Sequence, residues 1–222
     1  MSKVLIADDD VELTGMLAEY LGHEDFESDV ANDGKTALDM AIKYRYDIII
    51  LDVMMPHQNG FDVLRHLRQH SQVPVIMLTA RGEDVDSIVG LEIGADDYLT
   101  KPCNPRVLVA HMRAILRRAE VPASQNKGNI ILGDLELQLG TRMVNYKNKP
   151  LTMTTTEFSI LEILMKHAGN IVSKQQLSEH ALGRELSPYD RSLDMHISNL
   201  RKKLASDTDN EDLIKTIRGA GY

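Results

Sequence analysis

Five polar side chains that lie far apart in the sequence could do chemistry together: Asp8 and Asp9 in IADDD, Asp52 in LDVMMP, Thr79 in MLTA and Lys101 in TKP. Each follows or ends a short apolar run. Clustered carboxylates repel one another and call for a hard cation with oxygen ligands. Mg2+ is the natural choice, because it keeps several waters and completes its shell with phosphoryl oxygens. Lys101 adds a second positive group, so the set suits a phosphoryl group in transfer, stabilised by position and electrostatics. No Ser/His pair or Gly-rich phosphate loop accompanies it, which leaves a carboxylate as nucleophile. Asp52, at the end of the most apolar run, is the best placed. A simpler explanation is that acids after strands only cap helices. It accounts for any one of them, but not for Thr79 and Lys101 at the equivalent points of their own strands.

The elements that position these residues are legible as alternation. Apolar runs VLIA (4–7), SDVA (28–31), DIIIL (47–51), VPVIML (73–78) and DYLT (97–100) are separated by helical patterns near 10–22, 34–45, 60–70 and 83–93, with a last one near 105–119. Parallel strands need crossover helices, so five such units predict an α/β, doubly wound, flavodoxin-like sheet covered on both faces. Ligands in such sheets bind at the carboxyl ends of the strands, where the five residues converge. The domain spans 1–119. The polar segment 120–128, with Pro122 and Gly128, reads as a linker.

Beyond it, 129–222 reads as a second, α+β domain. Short alternating strands over 129–151 form an antiparallel meander. Helical patterns follow at 155–167, 173–181 and 189–205, the first two opened by Thr or Ser with Glu or Gln three residues on. The tail LIKTIRGAGY reads as a strand entering a hairpin turn. The net charge of −8 argues against nucleic acid, but it is unevenly shared. Residues 1–121 hold 12 Lys+Arg against 21 Asp+Glu, and residues 122–222 hold 13 against 12. In 189–205, Leu193, Ile197, Leu200 and Leu204 form an apolar stripe, with Arg191, Met195, Ser198, Asn199 and Lys202 facing away from it. His196 and Lys203 lie on one shoulder and Arg201 on the other. A solvated amphipathic helix fits this pattern as well as a DNA-reading one; the preceding helix and the following KTIRGAGY turn favour DNA.

The motif set ADDD, LDVMMP, LTA and KP resembles the receiver domain of bacterial two-component response regulators. With the second half, the similarity is to the OmpR/PhoB family over essentially the whole chain. Within it, VIMLTARG, GLEIGADDYL and SPYDRSLDMHISNLRKKL are similar to the Cpx-type envelope-stress branch. The resemblance implies a transcription regulator rather than a turnover enzyme, with slow autodephosphorylation at most. Asp52 would accept a phosphoryl group from a sensor histidine kinase. Asp9 and Asp52 would ligate Mg2+ directly, Asp8 through water, and the Met54 carbonyl would complete the protein ligands. Lys101 would pair with phosphoryl oxygens, and Thr79 with Tyr98 would form the switch pair. The phosphorylated chain would form a homodimer through 83–93, 97–100 and 105–119, with Asp96 and Asp97 pairing across it with Arg113 and Arg118. Ser87 and Val107 stand where relatives carry a basic and an acidic partner, and Cys103 where a Phe is usual.

The same resemblance implies a winged helix on double-stranded DNA. Ser198 and Asn199 would read base edges, Asn with an adenine. Arg191, His196, Arg201, Lys202 and Lys203 would contact phosphates, and Arg218 would enter the minor groove. The loop near 168–173 would meet RNA polymerase. The chain ends where relatives run a final wing strand, so that strand is expected to be cut short. One cysteine, no apolar run of the roughly 20 residues a membrane span needs, and no signal-peptide pattern point to the cytoplasm, with no membrane partner.

Two rival readings compete. An aspartyl-phosphate hydrolase would use Asp8 and Asp10 as an Asp-x-Asp motif, but the expected flanking pattern and cap domain are missing. A regulator acting by protein contact alone would carry a vestigial second domain. His66 and His70 have zinc-like spacing but no third ligand.

Overall fold

A computed structural model of the chain describes residues 1–79, 84–119, 128–186, 190–205 and 213–222, with the backbone alone for 84–88. The chain divides into two compact units, Met1–Leu116 and Arg117–Tyr222.

In the first unit, β1 (Ser2–Ala7), β2 (Phe26–Ala31), β3 (Ile48–Asp52), β4 (Val75–Thr79) and β5 (Asp97–Thr100) alternate with α1 (Val11–His23), α2 (Gly34–Lys43), α3 (Gly60–Leu67) and α4 (Asp84–Ile93), followed by α5 (Pro105–Ala119). The strands form one parallel sheet in the order β2-β1-β3-β4-β5. The order reverses between β1 and β3, which opens a crevice outside their carboxyl ends. Every residue of β3 and β4 is buried, as expected of central parallel strands covered on both faces. Val4, Ile6, Ile48, Ile50, Ile76 and Leu78 meet Leu17, Leu21, Leu108, Met112 and Ile115 in the core on one side of the sheet.

Local chemistry sets where the helices begin and end. Asp10 caps α1 by accepting from the backbone of Glu12 and Leu13 at 3.1 and 3.0 Å. The α-helix expected over 60–70 ends at Leu67; Arg68 N still donates to the Leu64 carbonyl, and the next residues wind more tightly, Gln69 N to the His66 carbonyl and His70 N to that of Leu67. Arg68 donates to the carbonyls of Gly94 (2.9 Å) and Val73 (2.8 Å) and pairs with Asp96 at 3.3 Å. It thereby ties the end of α3 to the starts of β4 and β5.

In the second unit, β6 (Asn129–Leu132), β7 (Leu135–Gln138), β8 (Met143–Tyr146) and β9 (Lys149–Leu151) form the expected antiparallel meander. A capping box of Thr154 and Glu157 starts α6 (Thr155–Lys166). A second box, Ser173 with Gln176, starts α7 (Lys174–Leu177), which runs into a π-helical turn, Ser178–Leu182, ended by Gly183 at φ +73°. The helix expected over 189–205 is α8, Ser192–Leu204. Asp190 accepts from the Ser192 backbone at 2.8 Å and so caps it from outside.

The tail differs from expectation. Among the described residues it forms no strand ladder, only isolated bridges of Ile217 and Ser173 to Gly221. Gly221, at φ +148°, lies so close to the segment ahead of α7 that a Cβ would sit 2.1 Å from the Val172 carbonyl oxygen.

Two glycines of the first unit respond in opposite directions to one added methyl. A Cβ on Gly60 would lie 2.1 Å from the Asp52 carbonyl oxygen, whereas one on Gly15, inside α1, meets nothing within 4 Å. Gly60→Ala is expected to destabilise the unit by about 1–3 kcal/mol through overpacking. Gly15→Ala is expected to stabilise it by about 0.5–1 kcal/mol through helix propensity. Urea unfolding checks both, and equal shifts would refute the packing described.

Candidate functional site

The carboxyl edge of the sheet gathers the five residues. Asp8 and Asp9 leave β1, Asp52 and Thr79 are the last residues of β3 and β4, and Lys101 follows β5. Backbone bonds fix the loops there: Asp8 N donates to the Ala31 carbonyl (3.1 Å), Val53 N to Leu78 (3.0 Å) and Lys101 N to Thr79 (2.7 Å). One carboxylate oxygen each from Asp8, Asp9 and Asp52 lies within 4.8 Å of the others. Asp8 and Asp52 are buried and Asp9 is exposed. Lys101 Nζ bridges the buried pair, 2.6 Å from Asp8 and 2.9 Å from Asp52.

The charge balance leaves the pocket short of positive charge. Burial pushes the Asp52 carboxyl up to about 6; Lys101 opposes this, while Asp8 and Asp9 add to it. Burial would lower the Lys101 ammonium, but its bonds to Asp8 and Asp52 outweigh that and raise it. Thr79 is fully buried, and its hydroxyl has no hydrogen-bond partner among the described residues. An unpaired buried hydroxyl is costly unless an acceptor arrives. The donor set is all oxygen, and three carboxylates face one lysine, so the residues fit a hard divalent cation. They also fit a charge-rich group that the Thr79 hydroxyl can satisfy.

Other expected residues lie around this pocket. Tyr98 is half-buried in β5, and Met54 is 65% exposed on the loop after β3. Cys103 is half-buried and packs against the core, which raises its thiol pKa. Ser87 has no described side chain, and Val107 is exposed.

The dimer pairs need correction. Asp96 and Asp97 are each only 1% exposed. Asp96 accepts from Arg68 and from the Val75 backbone, while Asp97 pairs with His111 Nδ1 at 2.7 Å and accepts from the Tyr98 backbone. Carboxylates so enclosed cannot be presented to another subunit without dismantling those contacts. Arg113 is exposed and pairs with Glu24 at 2.7 Å, whereas Arg118 is half-buried and donates to the Ala181 carbonyl and, at 3.2 Å, to the Leu182 carbonyl, so it too is withdrawn from the expected pairs. Nothing in the spacing of the sequence signals Arg68 or His111 as partners, because both pairs close only through the fold.

On α8 the buried face is wider than the apolar stripe suggests. Ser192, His196 and Asn199 are buried along with Leu193, Ile197, Leu200 and Leu204. His196 at 1% and Asn199 at 5% exposure therefore do not reach DNA, which corrects two expected contacts. Two basic residues are also committed within the domain. Lys203 Nζ pairs with the buried Glu157 at 2.6 Å, and Arg201 donates to the Ile214 carbonyl and to the Thr216 hydroxyl. The outward positions are Arg191, Met195, Ser198 and Lys202, spaced as one helical stripe, with Arg191 and Lys202 exposed. Arg218 is exposed at the tip of the turn 217–221.

Comparison with known proteins agrees with both halves. Residues 4–113 match the response regulator receiver domain, and residues 148–222 match the C-terminal domain of transcriptional regulatory proteins. The chain is 48% identical to the transcriptional regulatory protein CpxR of Escherichia coli (strain K12), with 100% of this chain and 97% of that protein covered. It is 46% identical to the CpxR homolog of Haemophilus influenzae, covering 100% and 98%. Among solved structures, a mutant of RitR superposes with a TM-score of 0.79 at 24% identity over 100% of this chain and 98% of that one, a likeness of fold alone. DrrB of Thermotoga maritima, an OmpR/PhoB homolog, gives 0.53 at 31% identity over 100% and 98%. With a receiver domain on a doubly wound sheet and a winged-helix-like DNA-binding domain behind it, this chain belongs to the two-component response regulators of OmpR/PhoB type.

Proposed function

We propose that Asp52 is the phospho-acceptor, that a sensor histidine kinase supplies the phosphoryl group, and that the phosphorylated chain dimerises to regulate promoters. The observation that carries this reading is Lys101 Nζ bridging Asp8 and Asp52 at the strand edge that also ends in Thr79, whose buried hydroxyl has no partner among the described residues. An Asp52 carboxylate oxygen attacks phosphorus, and the P–N bond to the donor imidazole breaks. The incoming group brings about −1.5 to −2 of charge and strong acceptor oxygens. Lys101 turns to these oxygens, and the Thr79 hydroxyl gains its missing acceptor. Asp9, Asp52 and Asp8, with the Met54 carbonyl, would hold Mg2+. Bound there, the cation would supply positive charge to offset the carboxylates and the phosphoryl oxygens. The chain modifies itself once rather than turning over a substrate.

Movement of Thr79 towards the phosphoryl group frees space that Tyr98 of β5 turns into, and this biases the face of α4, β5 and α5 towards a second copy. With Asp96 and Asp97 enclosed and Arg118 committed to the Ala181 and Leu182 carbonyls, Arg113 is the charged residue assigned to that interface. Its weak surface pair with Glu24 lets Arg113 exchange partners at little cost. Dimerisation then places two copies of α8 on adjacent half-sites, the second contact being intramolecular. Arg191 and Lys202 meet phosphates, Met195 and Ser198 face base edges, and Arg218 enters the minor groove. Residues 168–173, with Ile171 exposed, face RNA polymerase. The domains divide as receiver 1–119, linker 120–128 and DNA-binding 129–222. No helix among the described residues is long and apolar enough to cross a membrane, in keeping with work in the cytoplasm.

Asp52→Asn should abolish Mg2+-dependent labelling by acetyl phosphate; undiminished labelling would remove Asp52 as the acceptor. The raised Asp52 pKa also makes a stability prediction for the metal-free protein. Because the folded chain holds that proton more tightly than the unfolded one, the contribution is complete below pH 3.8 and is lost as pH rises through about 6. Asp52→Asn removes this loss. Between pH 5 and 7.5 in EDTA the parent should lose about 1 kcal/mol more than the variant in urea unfolding. Identical pH profiles would contradict it. On DNA, Lys202→Ala should weaken binding to all sequences and reduce its salt dependence. Met195→Ala and Ser198→Ala should instead change which sequence a random library yields. Loss of binding by Asn199→Ala without loss of stability would reverse the assignment of that buried residue.

A further inference from the structure

Tyr222 joins three parts of the second unit. Its backbone pairs twice with Val172, N to O at 3.0 Å and O to N at 2.8 Å, just ahead of α7. Its hydroxyl donates to Asp194 in the first turn of α8. Its ring lies between Lys174 Nζ at 5.8 Å and the Arg201 guanidinium at 5.9 Å. The Asp194 carboxylate also accepts from Lys174 at 2.6 Å. Burial raises the Asp194 pKa, but Lys174 and Tyr222 outweigh that and lower it, so the brace holds an anion.

The preceding turn closes on the same anchor. Ile217 N donates to the Gly221 carbonyl at 2.8 Å, and Ala220 N and Gly221 N both donate to the Ile217 carbonyl at 3.0 Å. Arg218, Gly219 and Ala220 form its exposed tip. The approach to the turn is held from α8 as well, since Arg201 Nε and Nη2 reach the Ile214 carbonyl at 2.9 and 2.6 Å and Nη2 reaches the Thr216 hydroxyl at 2.8 Å. Both sides of the turn are therefore fastened to the helix that carries Met195, Ser198 and Lys202.

We infer that Tyr222 and Asp194 form a positioning brace that fixes the Arg218 turn relative to α8, so that helix and turn read DNA as one rigid unit. Tyr222 touches no base or phosphate; it acts through the placement of Arg218. A rigid pair of contacts binds more tightly than two independently moving ones, because less conformational freedom is lost on binding. The inference rests on the proposed placement of α8 and Arg218 on DNA.

The test is a double-mutant cycle in the full-length protein, on a DNA site selected from a random library. Binding constants are measured for the parent, Arg218→Ala, Tyr222→Phe and the double variant, with thermal unfolding recorded for each. Phe keeps the ring and removes only the hydroxyl. In the parent, Arg218→Ala is expected to cost about tenfold in affinity; in the Tyr222→Phe background it should cost less than about threefold. A purely structural role for Tyr222 lowers the melting temperature but leaves the Arg218 cost unchanged. Equal cost in both backgrounds, including no cost in either, overturns the brace. Asp194→Asn serves as the second variant and should reproduce the loss of coupling. Lys202→Ala is the control for the underlying reading: if it leaves salt-dependent binding unaltered, the placement of α8 on DNA fails and the brace with it. If it weakens binding while Arg218 stays uncoupled from Tyr222, the brace alone is refuted.

Discussion

Two buried carboxylates sharing one lysine ammonium define the first domain. Asp8 and Asp52 have lost their water, Asp9 stands beside them at the rim, and Lys101 lies opposite. Like charges at this separation are tolerated because β3 fixes the backbone of Asp52, and the bond from Asp8 N to the Ala31 carbonyl fixes the loop that leaves β1. The fully buried β3 and β4 are therefore part of the electrostatics as well as the core. They hold the anions in a medium where mutual repulsion is strong and an added cation or acceptor-rich group has a large effect.

The second domain is organised by a different constraint. Several of its charged residues are consumed in holding elements together: Lys203 by Glu157, Lys174 by Asp194, Arg201 by the tail. A helix rich in Lys and Arg thus turns only part of its positive charge outward. The near-neutral balance of this half agrees with that, and its DNA contacts depend on placement more than on total charge.

Much of this is legible in the amino-acid order. Strand–helix alternation is enough for the parallel sheet, and Asp8, Asp9, Asp52, Thr79 and Lys101 each mark the end of a strand, so their convergence follows from topology. Capping boxes at Thr154 and Ser173 locate two helices of the second domain. What stays hidden depends on contacts across long stretches of chain. Asp96 and Asp97 look like surface acids, and only the fold shows Arg68 and His111 waiting for them. Asn199 and His196 are polar, and the helical wheel turns Asn199 from the apolar stripe and leaves His196 on its shoulder, because it takes no account of what packs above them. The tail looks like a strand by composition, yet Gly221 pressed against Val172 turns it into a closed loop.

The width of the buried face of α8 bears on how such a regulator changes its targets over generations. Seven of the thirteen residues of the helix are packed inward, so most substitutions there would be paid for in folding. Met195 and Ser198 are the half-buried positions of the outward stripe that do not carry a fixed charge. On the proposed docking of α8, drift at these two sites would move a regulon to new promoters at little cost to the packed core.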